Sequence, residues 1–307
     1  MPMPGNRCSV HAPAKLNLCL ELLGKRDDGF HALRTVMGTV GWCDTVRVQD
    51  TGPAPGDDQL RLRVLGAPEA TAGVPTDRSN LVLRALELLR QESGTTHGAE
   101  VELVKRVPNE AGLGGGSSDA AAALTAGNRV WGLGWSIEQL AVLAARLGSD
   151  LPFFVHAIGN RRASFAVATG RGEVIRPLQA MTALPVVIVK PPAGLATAEV
   201  YRACEKSDYV PTGANDRTSS VAEAVLKSDL CGLAGAMTNG LQAAAMRLAP
   251  WIRELAKRFE ASGCRGHQLS GSGSAYFGLM QSMREANRVA ARLRALRVGQ
   301  VVATTIG

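Results

Sequence analysis

The stretch that most constrains this chain is Ala111-Gly112-Leu113-Gly114-Gly115-Gly116-Ser117-Ser118-Asp119, which follows a short alternating segment and opens an alanine-rich one. Glycines let a backbone approach a ligand closely, successive amides form an anion-binding nest, and the positive end of a helix macrodipole adds to the attraction. Phosphate is the natural guest. A turn that merely needs positive φ is the competing reading. It leaves unexplained the two serines suited to helix capping and the strand-to-helix context.

The same residues exclude two familiar phosphate folds. A Walker A loop needs lysine straight after its last glycine, and the dinucleotide fingerprint needs its third glycine at that point; this chain has Ser117 there. Any cation assisting at a bound phosphate must come from elsewhere in the chain.

Lys15 to Leu22 alternates leucines with Asn17, Cys19 and Glu21, which predicts a half-buried strand with Lys15 and Asn17 on one face. Gly24 to Gly29 reads as a polar turn, followed by Phe30-His31 and a mainly β stretch to Asp50. Thr51 to Asp58 reads as a loop and Leu60 to Val64 as a strand. Ser79 is expected to N-cap a helix running through Gln91, and Glu100 to Lys105 is another strand. Ala120 to Leu124 favours helix, and Ser136 with Gln139 forms a capping box opening a helix that stops at Gly148. After Leu151-Pro152-Phe153-Phe154 the reading is strands alternating with turns as far as Pro177, and Gln179 to Leu184 is the expected domain boundary.

Beyond it, Pro185 to Lys190 is a buried strand, and Ala196 to Cys204, Ser219 to Lys227 and Trp251 to Ala261 are helices. Two strands flank a turn at Gly271 to Gly273, then come a helix from Arg284 to Leu296 and a closing strand. The class is α+β in both halves, and 307 residues suit two domains, 1–180 and 181–307.

A net charge of +7, from 34 Lys and Arg against 27 Asp and Glu, attracts anions without saying which. Arg284, Arg288 and Arg292 at helical spacing read as a solvated helix face, and no aromatic-rich signature accompanies them, so a nucleic-acid partner is not expected. The six cysteines are scattered, with no CxxC pair and no Cys/His cluster at zinc spacing, which points to reduced thiols and a cytoplasmic protein. The uncharged stretches carry Gly, Ser, Asn and Gln throughout, and no membrane span or signal peptide is expected.

Lys15, in Pro13-Ala14-Lys15-Leu16-Asn17, is the first candidate for the missing cation, because Asn17 shares its face. Asp150, between Gly148 and the apolar Leu151-Pro152-Phe153-Phe154 run, is a candidate carboxylate; the alternative for it is a capping or turn aspartate. Periodicity alone does not bring the two together.

Taken in order, Pro13 to Asn17, Asp28-Gly29-Phe30-His31, Gly112 to Asp119, Gly148 to Phe154, Gly170-Arg171-Gly172-Glu173 and Ser270-Gly271-Ser272-Gly273-Ser274 resemble the galactokinase, homoserine kinase, mevalonate kinase and phosphomevalonate kinase (GHMP) superfamily. Within it they are most similar to the family acting on 4-diphosphocytidyl-2-C-methyl-D-erythritol. The resemblance spans nearly the whole chain. It implies an N-terminal ribosomal-protein-S5-domain-2-like domain and a C-terminal ferredoxin-like α/β-plait domain. It also implies transfer of the ATP γ-phosphoryl to the 2-hydroxyl of that cytidine diphosphate compound, with Mg²⁺, in the non-mevalonate route to isoprenoid precursors.

By the same resemblance Asp150 accepts the hydroxyl proton, and Lys15 supplies a favourable field for the aspartate and the developing alkoxide. Pro108, Asn109, Glu110, Ala111, Gly112, Leu113, Gly114, Gly115, Gly116, Ser117 and Ser118 wrap the ATP phosphates, with Asn80 and Lys105 near the adenine. Asn17, Phe30 and His31 hold the cytidine end, Tyr201 stacks on the base, and Gly271, Ser272 and Gly273 form a turn near the active site. Phe30 stands where the family more usually has tyrosine. Ser117, Ser118 and Asp119 are all open as metal ligands, and a monomer or homodimer is expected. The alternatives are a kinase for another alcohol, of the mevalonate or homoserine class, and a basic nucleic-acid-binding protein.

Overall fold

The computed structural model describes residues 6–53, 59–180, 183–211 and 215–307. In chain order the elements are β1 (Arg7–Lys25), β2 (His31–Pro53), β3 (Leu60–Gly66), α1 (Pro68–Thr71), α2 (Leu81–Ser93), β4 (His97–Lys105), α3 (Gly115–Val130), α4 (Ile137–Ala145), α5 (Leu151–Gly159), β5 (Phe165–Thr169) and β6 (Val174–Leu178). They continue with β7 (Leu184–Lys190), α6 (Thr197–Arg202), α7 (Arg217–Leu226), α8 (Leu230–Ala236), β8 (Thr238–Asn239), α9 (Gln242–Leu248), α10 (Trp251–Glu260), β9 (Gly266–Leu269), β10 (Tyr276–Leu279), α11 (Met283–Ala295) and β11 (Gln300–Ile306).

The contacts divide the chain into two compact units that interleave along the sequence. The first comprises the described parts of Met1–Ala14, Cys43–Asn109 and Gly114–Arg161; the second comprises Lys15–Trp42, Glu110–Leu113 and Arg162–Gly307. The expected boundary segment, Gln179 to Leu184, includes 181–182, which lie outside the described residues, as do 54–58 of the expected loop.

In the first unit β4 pairs antiparallel with β2, Thr45 opposite Val104, and parallel with β3, Leu62 opposite Val101. Inward residues of these strands, among them Val46, Val48, Val101 and Leu103, close a core with Val82 and Leu86 of α2 and Ala122, Ala123 and Ala126 of α3. α3 is buried on nearly every side from Ser118 to Gly127, which its run of alanines permits because small side chains let neighbours approach. Asn80 caps α2, its side chain accepting from the Val82 amide at 2.8 Å, and a left-handed Gly94 ends it. The expected cap, Ser79, instead donates its hydroxyl to Asp77. The Ser136 and Gln139 capping box forms as expected.

The strands expected after Phe154 are replaced at first by α5, which runs from Leu151 to Gly159. Pro152 is tolerated in its first turn, where no amide donor is needed, and burial of Leu151, Phe153, Phe154 and Val155 against α3 and α4 outweighs their β preference. The polarity reading of β1 also changes. Ala14 to Leu22 is buried on both faces, so the polar face carries Lys15, Asn17 and Glu21 into the interior.

In the second unit β11 lies between β2 and β7, β10 follows β7, and β9 follows β10, every pairing antiparallel. α10 and α11 pack on these strands, with Phe259, Val289 and Leu293 reaching Val187, Val189 and Tyr276 in one core. β5 pairs with the start of β2 and carries β6 on its other side.

Gly38 of β2 is enclosed by that arrangement. A Cβ there would lie 2.7 Å from a Phe165 ring carbon and 2.8 Å from two side-chain carbons of Ile306. Gly38→Ala is therefore expected to cost about 1–3 kcal/mol through overpacking, read as a lower urea midpoint with unchanged slope.

Candidate active site

Lys15 lies on β1 in the second unit with only 5% of its surface exposed. Burying an ammonium costs several kcal/mol unless it is hydrogen-bonded, and Nζ donates to Asn17 Oδ1 at 2.6 Å. Its backbone amide donates to Leu113 O at 2.9 Å, which fastens the strand to the glycine loop. Gly112 belongs to that stretch of loop. Its φ is +70°, and a Cβ would lie 2.2 Å from Ser270 O, so only glycine fits. Ser270 Oγ donates to Gly112 O at 3.0 Å, and the Ala275 amide donates to Ala111 O at 2.9 Å.

Gly271 completes the group. A Cβ on it would lie 3.1 Å from Asn17 Oδ1 and 3.4 Å from Lys15 Nζ. Within this unit the structure thus gathers Lys15 and Asn17, Ala111 to Leu113, and the Ser270 to Ser274 turn, three segments far apart in sequence. Ser272 pairs with Thr197 through their hydroxyls at 2.9 Å.

Of the expected cytidine residues, Asn17 meets Lys15, whereas Phe30, His31 and Tyr201 belong to an aromatic patch of the same unit. His31 packs against two tyrosine rings, Tyr201 at 4.9 Å and Tyr209 at 5.9 Å between centroids. Burial, aided by the Lys25 charge, pushes the His31 pKa below its ordinary value, so at neutral pH the ring keeps one donor and one acceptor nitrogen. Phe30 is 53% exposed, with the Arg171 guanidinium 4.9 Å from its ring centre. Asp28 accepts the Phe30 amide at 3.1 Å and Gly29 has φ +83°, a turn that accounts locally for Asp-Gly-Phe-His. Tyr209 had no local signal that marked it for this patch, and Arg171 lies in the Gly170-Arg171-Gly172-Glu173 segment, to which no role was attached.

In the first unit the loop continues as Gly114, left-handed at φ +69°, and α3 begins at Gly115. Ser118 Oγ and Asp119 Oδ1 are buried there without a hydrogen-bond partner. Lys105, expected near adenine, directs its ammonium to Asp119 at 2.8 Å and to Asp44. Burial acts to lower the Lys105 pKa, but the two carboxylates outweigh it and the net shift is upward. Burial pushes Asp119 up to about 8, against the pull of Lys105. Asp44 also accepts the Val107 amide at 2.8 Å and the Arg106 amide, which fixes the chain where it enters the loop at Pro108.

Asn80, the other residue expected near adenine, spends its side chain on the α2 cap and on Pro75 O at 2.6 Å. Asp150 is partly buried at the N-cap position of α5, yet its side chain makes no capping hydrogen bond, which sets the capping alternative aside. Asp44 went unnoticed in the sequence because a lone aspartate in a β stretch carries no motif.

Residues 80–157 match the model of the GHMP kinases N-terminal domain, and residues 221–297 that of the GHMP kinases C-terminal domain. The chain is 40% identical over 283 residues to the 4-diphosphocytidyl-2-C-methyl-D-erythritol kinase of Pelotomaculum thermopropionicum, covering 92% of each chain. It is 35% identical to the enzyme of that name from Shouchella clausii, over 93% of this chain and 90% of the other. A crystal structure of 4-(cytidine 5'-diphospho)-2C-methyl-D-erythritol kinase is similar with a TM-score of 0.80 and 35% identity, covering 98% of this chain and 99% of that one. Homoserine kinase from Cytophaga hutchinsonii, at 19% identity and a TM-score of 0.73 over 98% of this chain and 95% of the other, shares the fold.

Removing the cation from the buried triad is the sharpest stability test of the first unit. Lys105→Met leaves two buried carboxylates without their counter-charge and is expected to cost about 3–5 kcal/mol by chemical denaturation. Asp119→Asn keeps Lys105 with Asp44 and should cost less.

Proposed function

The chain belongs to the 4-diphosphocytidyl-2-C-methyl-D-erythritol kinase family of the GHMP kinases, and from that premise we propose that it transfers the γ-phosphoryl group of ATP to the 2-hydroxyl of 4-diphosphocytidyl-2-C-methyl-D-erythritol, releasing ADP. The observation that carries the reading is the buried Lys15 ammonium, held by Asn17 beside a backbone cradle in which Gly112 leaves no room for a side chain and Gly271 brings bare backbone up to Lys15 and Asn17. Phosphoryl transfer passes through a loose transition state with charge spread over its oxygens, so the protein's work is to position anions and spread charge. A fixed ammonium next to a glycine cradle does that work.

In this reading Asp150 takes the proton from the 2-hydroxyl as the new O–P bond forms, and Lys15 stabilises the oxygen as it loses that proton. Pro108 to Ser118 hold the ATP phosphates by backbone amides, with the start of α3 adding its dipole. Asn80 and Lys105 serve the nucleotide by shaping its site, through the α2 cap and the ion pairs that anchor Arg106 and Val107. His31 reads the cytosine edge as a neutral ring, Phe30 and Tyr201 offer faces to the base, and Asn17 serves the substrate end through its hold on Lys15.

Mg²⁺ carried with ATP neutralises charge on the transferring phosphoryl oxygens. Among the described residues no group of three His, Cys, Asp or Glu could hold a metal ion, which suits an ion bound mainly by phosphate and water. Ser118 Oγ and Asp119 Oδ1, buried without partners, fit as the protein's oxygens toward it. We place the enzyme in the cytoplasm; among the described residues no helix is long and apolar enough to cross a membrane.

The test is ADP release driven by 4-diphosphocytidyl-2-C-methyl-D-erythritol, with mevalonate and homoserine as competing alcohols. Asp150→Asn is expected to lower kcat by about 10²- to 10⁴-fold while the KM for ATP changes little. Lys15→Ala should also lower kcat. Native turnover in both variants would remove the catalytic assignment.

A further inference from the structure

Lys15 meets one end of the Asn17 amide, and the two ends of an amide are not equivalent. Oδ1 accepts and Nδ2 donates, so an ammonium, which only donates, is held by one orientation and repelled by the other. Something must choose between them. Asn17 is 3% exposed, Lys15 5% and Thr35 2%, so bulk water cannot make up for a wrong choice.

We propose that Thr35 is a positioning residue for phosphoryl transfer, fixing the Asn17 amide in the orientation that presents Oδ1 to Lys15. The inference rests on the role assigned above to Lys15. Thr35 has one hydroxyl proton, and it is spent on Cys19 O, 2.5 Å away on β1. Toward Asn17 the hydroxyl can therefore only accept, and Asn17 Nδ2 donates to it at 2.9 Å. With Nδ2 committed to β2, Oδ1 points to Lys15 Nζ at 2.6 Å. Flipping the amide would set NH₂ against the ammonium and a carbonyl against the hydroxyl lone pairs, two repulsive contacts in a buried site.

The backbone on either side is held independently. Gln268 Nε2 donates to Asn17 O at 2.8 Å, and Thr35 pairs with Ala168 of β5. Loss of the hydroxyl thus frees the amide rather than the strand. Thr35 is a neighbour of Lys15 in no sequence sense; the fold places β2 so that a single proton, donated to a β1 carbonyl, sets the polarity of a short relay ending at the ammonium.

The experiment compares kcat and both KM values for the native enzyme, Thr35→Val, Thr35→Ser, Asn17→Ala and the double variant Thr35→Val/Asn17→Ala, with Lys15→Ala alongside. Small misplacements of a catalytic group cost up to about 100-fold, so Thr35→Val is expected to lose about 10- to 100-fold in kcat with little change in the KM for ATP. Thr35→Ser, which keeps the hydroxyl, should restore most of kcat. In the Asn17→Ala background Thr35→Val should cost nothing further, because the relay is already broken. Native kcat in Thr35→Val, failure of Thr35→Ser to recover, or fully additive losses in the double variant would overturn the proposal.

Should Thr35→Val not fold, Thr35→Cys makes the same comparison, since a thiol is a weaker acceptor of similar size; native kcat there overturns the proposal as well. Native kcat in Lys15→Ala would overturn the Lys15 reading itself, and this proposal with it. Loss of kcat in Lys15→Ala beside native kcat in Thr35→Val would overturn the role of Thr35 alone.

Discussion

An ammonium taken out of water inside a sheet is the constraint on which the second unit turns. Lys15 carries its charge to 5% exposure on β1, and the neighbouring groups are chosen to accept from it or to keep side chains away from it. Asn17 presents an oxygen, Gly271 and Gly112 present bare backbone, and the Ser270 to Ala275 turn binds the loop through Gly112 O and Ala111 O. Gly112 is thus required by the crossing of the two backbone segments. Buried polar groups of this kind must be satisfied nearly completely, which makes their geometry specific.

The first unit solves a related problem with opposite signs. Two carboxylates, Asp44 and Asp119, share Lys105 beneath the start of α3, and the raised Asp119 pKa records how burial opposes a second negative charge there. The same Asp44 clamps the amides that lead into the loop. The start of α3 is in this way built over charges that are already paired. The aromatic patch around His31 holds a ring that burial keeps neutral, packed against Tyr201 and Tyr209 next to the Asp-Gly-Phe-His turn.

Much of this was legible in advance. The glycine loop before a helix, the Ser136 capping box, the strands at Leu60 and Pro185 and the α+β class follow from local rules and were read correctly. Ser79 and Asn80 are both good caps, and the choice between them is itself local, since Asp77, two residues earlier, takes the serine. Elsewhere tertiary contacts decided. Leu151 to Ile158 is rich in β formers, yet packing against α3 and α4 makes it helical. The alternation of β1 was visible, but alternation says only that two faces differ, and here both are buried. The resemblance implies a place near the adenine for Lys105, and its ion pairs with Asp44 and Asp119 come from the fold alone.

By itself the sequence determined the types of chemistry available: an amide-lined turn suited to an anion, a lysine and an asparagine on one strand face, an aspartate before an apolar run, and an aromatic-histidine pair after a tight turn. These are set by neighbours a few residues apart, where covalent geometry and hydrogen bonding to the local backbone dominate. Only the tertiary structure decided that the Lys15 ammonium lies beside Gly271, that Gly112 must be glycine because Ser270 crosses it, and that the proton on Thr35 points to Cys19 and so orients Asn17. Those facts depend on which strands and turns become neighbours after collapse. A chain read in one dimension holds no record of the direction of a hydrogen bond between segments that meet only in three.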